Sequence, residues 1–406
     1  YGKIQDHLNQ FYDVVPFAFD WRRSLRVEAA RLAGAIEDWL VEAERRNQPL
    51  SMLAHSMGGL LARVMIADQP KLWERICQHD RARLVMLGTP NGGSYSIPRM
   101  LVGKEGIIDG LALVDFKNSK TELLKLIAKF PGVLEMLPNG DQSGMDFFSP
   151  AFWADLAALQ KSRWTAPSDD DLAKAKAVRK LLDQETPNPQ RLCYVAGCAR
   201  ETPMRLIKGA LPQDNVMIGF NRPNNSAEKF YFQSTPRGDG RVLWDTGILP
   251  NVQTWYMDAV HGDMPANDAA FAAIVELLQI GKTDLLPTSQ PTFDTRAVSK
   301  VRSMSDTIEI FPDDETLETL AVGGTILRRT RESKPKASVT IAHGNLAFAA
   351  FPVAVGHYAG DTIVSAERAL DRARLALGVL ERQELDRRPL HRLRAAAVEE
   401  AASARK

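Results

Sequence analysis

The sequence has little that would mark it for a special environment. Only three of its 406 residues are cysteine, namely Cys77, Cys193 and Cys198. An odd count without metal-ligand spacing argues against a disulfide framework and for a reduced, cytoplasmic compartment. No apolar run approaches the ~20 residues of a membrane-spanning helix. Charge of one sign is also missing: 51 basic residues against 50 acidic leave a net +1, so neither nucleic acid nor an anionic membrane is expected as an obligate partner. No cofactor or metal motif is present, and none is expected to bind. The chain opens at Tyr1, with no initiator methionine and no export-signal pattern. It therefore reads as a piece of a longer protein whose other domains would be its partners. What is present, 45% hydrophobic and 25% charged residues, is the composition of an ordinary globular protein long enough for two or three domains.

Residues 11–19 (FYDVVPFAF) are aromatic and β-branched and predict a buried strand. Val27, Leu32, Ile36, Trp39, Leu40 and Ala43 then recur at helical spacing, the pattern of an amphipathic helix. A strand over 48–54, a small-residue helix over 58–67 and a strand over 83–87 follow. Strands alternating with helices predict an α/β fold with a parallel sheet. Residues 96–190 carry helical apolar runs broken by Pro and Gly. An insertion on the order of 100 residues is too long for a plain loop, and predicts a helical lid. Strand patterns return at 192–196 and 254–257, before a helix over 267–279. The first domain is thus expected over 1–281, and the polar, Pro-containing segment 282–300 reads as a linker. Alternating strands at 307–310 and 339–342, with a helical stretch over 361–380, predict a small α/β unit within 301–384. Residues 385–406 read as a polar helical or disordered tail.

A serine hydroxyl is a weak nucleophile until an imidazole takes its proton. A tight strand-to-helix turn lifts such a serine above the sheet and aims backbone N–H groups at the developing oxyanion. The stretch Ala54-His55-Ser56-Met57-Gly58-Gly59 has this form, with a strand entering, a helix leaving and small residues two positions either side of Ser56. Alanine stands at position 54, where G-x-S-x-G has glycine. The N–H of Met57 is the expected oxyanion donor. In such a fold the acid and the histidine follow the serine in that order. Of seven histidines, His261 lies between a predicted strand and a predicted helix, where a loop-borne base belongs. Asp239 sits in the glycine turn Arg237-Gly238-Asp239-Gly240-Arg241-Val242 ahead of it; Asp245 and Asp258 are alternatives for the acid.

Several motifs, taken in order, resemble the lecithin:cholesterol acyltransferase-like, lipase-like branch of the α/β-hydrolases. They are Phe19-Asp20-Trp21-Arg22, His55 to Arg63 (HSMGGLLAR), Leu87 to Ser94 (LGTPNGGS), Phe130 to Pro138 (FPGVLEMLP) and Gly238-Asp239-Gly240-Arg241-Val242. The resemblance covers about residues 1–280. It implies an α/β-hydrolase core with a helical lid, and catalytic roles for Ser56, Asp239 and His261. The sequence departs from the family at Arg241, where threonine is usual after the Asp-Gly pair. A first oxyanion donor, which such enzymes take from a Gly-containing loop after an early strand, is expected upstream of Tyr1. The C-terminal unit resembles a module found beside such hydrolases in multidomain bacterial proteins, some with caspase-like domains.

The resemblance implies a serine esterase, lipase-like hydrolase or O-acyltransferase. It would act on an acyl ester or lipid substrate through a Ser56 acyl-enzyme, with transient membrane contact through the lid. The alternative is a hydrolase-fold sensor or scaffold within a larger protein, with weak or no catalysis.

Overall fold

Strands separated by helical stretches build a parallel sheet. The computed structural model describes residues 1–105, 118–139, 145–160, 165–209 and 230–292, with Ile108, Arg302, Ser303 and Gly324. The chain divides into two units, Tyr1–Leu327 and Arg328–Lys406. The strands expected at 307–310 and 339–342, the helix over 361–380 and the tail from 385 lie outside the described residues.

Helix α1 (Gly2–Leu8) opens the chain, and α2 (Leu25–Arg45) follows. Between them the strand expected over 11–19 does not form: the segment has no strand partner and is half-buried to exposed, with Phe11 and Val15 about half exposed. Pro16 removes a ladder donor in its middle. Ser24 caps α2 through its side chain, and Leu25, Ala29, Leu32, Ala33, Ile36 and Leu40 form one buried stripe. Leu32, Ile36 and Leu40 of the face read from the sequence lie in it, whereas Val27 is exposed and Trp39 and Ala43 are half-buried at its edge. Strand β1 (Met52–His55) then leads into α3 (Met57–Asp68), with nine of its twelve residues buried, and α4 (Pro70–Cys77) leads to β2 (Leu84–Leu87).

The described stretches of the long insertion are helical: α5 (Ser96–Leu101), α6 (Lys120–Ile127), α7 (Pro131–Leu134), α8 (Pro150–Gln160) and α9 (Asp169–Leu182). Strand β3 (Leu192–Gly197) returns to the sheet. An antiparallel pair, β4 (Thr202–Lys208) and β5 (Phe230–Thr235), precedes a short helix α10 (Trp244–Gly247), strand β6 (Gln253–Met257) and helix α11 (Phe271–Ile280). The helix expected to begin at 267 begins at Phe271, after two 3-10 turns. A two-residue strand, Arg302–Ser303, adds to β5.

The main sheet has the order β1-β2-β3-β6, all parallel. Both central strands are buried throughout, as a parallel sheet covered on two faces requires. Their side chains alternate between two cores. Leu84, Met86, Leu192, Tyr194 and Ala196 join α2, α3 and α4 on one face, while Val85, Leu87, Cys193 and Val195 join α1 and α11 on the other. A third core belongs to the insertion and the antiparallel pair, built on Phe147, Trp153, Leu156, Leu172, Phe230 and Phe232.

The insertion is tied to the sheet domain by Glu135, just after α7. Its Oε2 accepts the Leu25 N–H at 2.6 Å, at the start of α2. A carboxylate suits a helix N-terminus, where backbone N–H groups lack intrahelical acceptors. Glu135→Ala leaves that N–H unpaired and should lower unfolding stability by about 1–3 kcal/mol. Urea denaturation checks this, with Glu135→Gln recovering part of the loss.

Candidate active site

The site is assembled at the C-terminal ends of the parallel strands, beginning with β1. The N–H of Ser56 still donates to the Leu87 carbonyl at 2.9 Å, so the ladder with β2 extends to the turn itself. The backbone then reverses at Ser56 with φ 54° and ψ −127°, a region nearly reserved for glycine that costs about 1–3 kcal/mol for another residue. Helix α3 starts at once, so the Met57 N–H has no carbonyl one turn behind it and is left at the helix N-terminus, beside Ser56.

Space at the turn differs between the two glycines. A Cβ on Gly58 would sit 3.9 Å from the Ala54 Cβ and from a Phe19 ring carbon, an ordinary contact. Alanine at 54 is therefore accommodated. A Cβ on Gly59 would overlap the buried Thr89 side chain. Gly58→Ala is thus expected to change stability by less than about 1 kcal/mol, whereas Gly59→Ala should destabilise by about 1–3 kcal/mol through overpacking. Thermal melts of the two variants compare them directly.

Asp239 is held by its own turn. Its Oδ1 accepts the N–H groups of Arg241 (2.9 Å) and Val242 (2.7 Å), and its N–H donates to the Val242 carbonyl at 3.1 Å. Oδ2 is left to face His261 Nδ1 at 2.8 Å. His261 opens a 3-10 turn (His261–Ala266) after β6, and its Nε2 lies 2.8 Å from Ser56 Oγ. The acid and imidazole are 1% and 2% exposed. Burial alone would raise the Asp239 pKa, yet it is held below the ordinary value by the electrostatic influence and hydrogen bond of the His261 imidazole and by the two N–H groups. Gly88 makes the approach possible. With φ +56°, it carries no Cβ, which would otherwise lie 2.9 Å from Asp239 Oδ2 and 3.1 Å from His261 Nδ1.

The structure thus brings Ser56, His261 and Asp239 together, and places Met57 beside them. The alternatives for the acid lie elsewhere: Asp258 is exposed, and Asp245 pairs with Arg237 at 3.5 Å. The motif Phe19-Asp20-Trp21-Arg22 makes a local clamp, in which Arg22 Nε and Nη2 each bind the Asp20 carboxylate at 2.8 Å. Trp21 is 49% exposed and meets the Phe130 ring of the insertion edge-on, with centroids 5.6 Å apart. Behind the loop after β2, Arg63 of α3 donates to Asn91 Oδ1 (3.1 Å) and the Leu182 carbonyl (2.6 Å), and Arg179 of α9 donates to the Asn91 carbonyl.

His55 is the neighbour that motif reading passed over. Its Nε2 lies 2.8 Å from the His261 carbonyl, its Nδ1 2.8 Å from the Tyr1 hydroxyl, and the two imidazoles are 4.8 Å apart. The available signal was its place directly before the serine. Removal from water and the adjacent His261 push its pKa down to about 3. The unfolded chain takes up this proton near the ordinary histidine pKa of ~6.5, whereas the folded chain does not until about pH 3. The unfolded state binds more protons across that window, so this contribution to stability falls as pH drops. Denaturation midpoints should therefore decline less steeply between pH 6 and pH 4 for His55→Gln than for the wild type.

A mostly parallel sheet flanked by helices, with an inserted helical layer, defines an α/β-hydrolase core. Residues 9–201 match the lecithin:cholesterol acyltransferase family model, in line with the resemblance carried by the motifs. No curated protein matches the chain. Among solved structures it is similar to the Tle4–Tli4 complex at 16% identity and TM-score 0.42, over 65% of this chain and 68% of that one. It is also similar to the lipase BlEst2 of Bacillus licheniformis in mature form, at 14% identity and TM-score 0.33, over 64% and 76%. The family match ends before the C-terminal unit. Among the described residues no helix is long and apolar enough to cross a membrane.

Proposed function

We propose that this chain is a serine hydrolase or O-acyltransferase acting on a carboxylic ester, with an acyl-enzyme on Ser56. The observation that carries this reading is the continuous relay from Ser56 Oγ through His261 to Asp239, with both hydrogen bonds 2.8 Å long. Neutral His261 holds its proton on Nδ1 toward Asp239, so Nε2 is free to accept the Ser56 hydroxyl proton. As Oγ attacks the ester carbonyl, that proton moves to Nε2, and the buried Asp239 carboxylate stabilises the imidazolium. The Met57 N–H faces the oxyanion at the start of α3. His261 then returns the proton to the leaving alcohol. The acyl group passes to water or to a second alcohol by the same steps in reverse.

A lipid-like acyl group fits the family match and the aromatic Trp21–Phe130 contact between the sheet domain and the insertion. A fluorophosphonate probe forms a covalent bond with an activated serine and tests the relay directly. The full chain should label at one residue, and Ser56→Ala should abolish labelling. Asp239→Asn, which leaves the imidazole with the wrong tautomer, should slow it by roughly 10⁴-fold. An unlabelled wild type, or labelling that survives Ser56→Ala, removes the proposal and leaves the scaffold reading.

A further inference from the structure

We infer that His55 is a positioning residue, whose imidazole N–H holds the peptide of His261 in register with Ser56. The inference rests on the reading of His261 as the base, and adds a residue whose ring nitrogens bond the His261 backbone and Tyr1 rather than the side chains of the relay. A carbonyl oxygen only accepts, so the 2.8 Å contact between His55 Nε2 and the His261 carbonyl places the proton on Nε2. Nδ1 then carries the lone pair that accepts the Tyr1 hydroxyl at 2.8 Å. Both ring nitrogens are used, and the neutral tautomer is defined by its partners.

The consequence is geometric. The N–H of His261 donates to the Asp239 carbonyl at 2.8 Å, and its carbonyl accepts from His55. One peptide end is therefore fixed to the acid turn and the other to the last residue of β1. His55 is itself fixed by the β1–β2 ladder, where it lies opposite Leu87. The distance from Ser56 Oγ to His261 Nε2 is thus set by a closed circuit: β1, the His55 imidazole, the His261 backbone and the His261 side chain. A neutral ring is also what the site needs. The imidazoles are 4.8 Å apart, and a cationic His55 would oppose the imidazolium that forms on His261.

Glutamine places an amide N–H near the position of histidine Nε2, asparagine falls short of it, and leucine has no donor. Fluorophosphonate labelling rates of the full chain should stay within ~3-fold of wild type for His55→Gln and fall roughly 10- to 100-fold for His55→Asn and His55→Leu, the scale of an ångström-sized misplacement. Equal rates in all three variants, whether wild-type or impaired, overturn the inference. Nitrogen-15 NMR of histidine-labelled protein gives a second test that needs no activity, and so separates this inference from the reading of Ser56. His55 should show its proton on Nε2, and the His261 imidazole shifts should move in His55→Leu but not in His55→Gln. A His55 protonated on Nδ1, or His261 shifts unaffected by either change, overturns it even if no variant labels.

Discussion

The constraint on which this site depends is the ionised carboxylate of Asp239, 1% exposed. A lone charge in such surroundings is expensive, and proteins keep one only where hydrogen bonds replace water. Here two backbone N–H groups take Oδ1 and the imidazole of His261 takes Oδ2. The carboxylate therefore dictates the turn that supplies the N–H groups, the approach of the loop that brings the imidazole, and the bare backbone around it. Gly88 at the end of β2 and Gly197 at the end of β3 both face Asp239 at distances that leave no room for a Cβ. Strand ends, turn and loop converge because one buried charge has to be satisfied.

That convergence makes the neighbourhood of Ser56 a property of the sheet more than of the insertion above it. The Ser56 turn is fixed by the Leu87 carbonyl on β2, the Asp239 turn packs on the end of β3, and His261 follows β6. The insertion is joined to this frame by polar ties placed behind the chemistry: Glu135 at the start of α2, and Arg63 and Arg179 around Asn91. Burial lowers the pKa of both guanidiniums, to about 10 for Arg63, which still leaves Arg63 charged at neutral pH. Both reach Asn91, Arg63 at its side-chain amide oxygen and Arg179 at its carbonyl, so the loop after β2 is clamped to α3 and α9. In the proposed reaction the relay is then held by the sheet.

Much of this frame was legible in the residues. The stripe from Leu32 to Leu40 is a helical face by spacing alone, and 84–87 and 192–196 are apolar without alternation because both faces of their strands are covered. The grouping of Ser56, Asp239 and His261 was legible because chain order and glycine turns confine where three such side chains can meet. Other features left no such trace. Residues 11–19 have strand composition, yet strand structure depends on a partner that composition does not supply. The β4–β5 pair begins Thr202-Pro203-Met204-Arg205, and its register shifts between Pro203 and Arg205, so the period-two pattern is broken where it would be read. His55 bonds a carbonyl 206 positions away in sequence. A side chain to backbone contact at that distance imposes no spacing and no residue type on its partner.

The alanine at position 54 shows why motif spelling and site geometry diverge. Glycine two residues before a nucleophile is useful when the start of the following helix presses on it. In this chain the residue facing position 54 is Gly58, and a Cβ added there would still be 3.9 Å from the alanine methyl. The tight contact has moved one residue on, to Gly59 against Thr89, between the nucleophile helix and the loop that follows β2. The steric demand of the turn is thus met between α3 and a different strand end. The backbone strain at Ser56, with φ 54°, is supported by that packing and by the Leu87 hydrogen bond. A strained serine survives only where its surroundings over-determine it, and these two contacts do so without a glycine at 54.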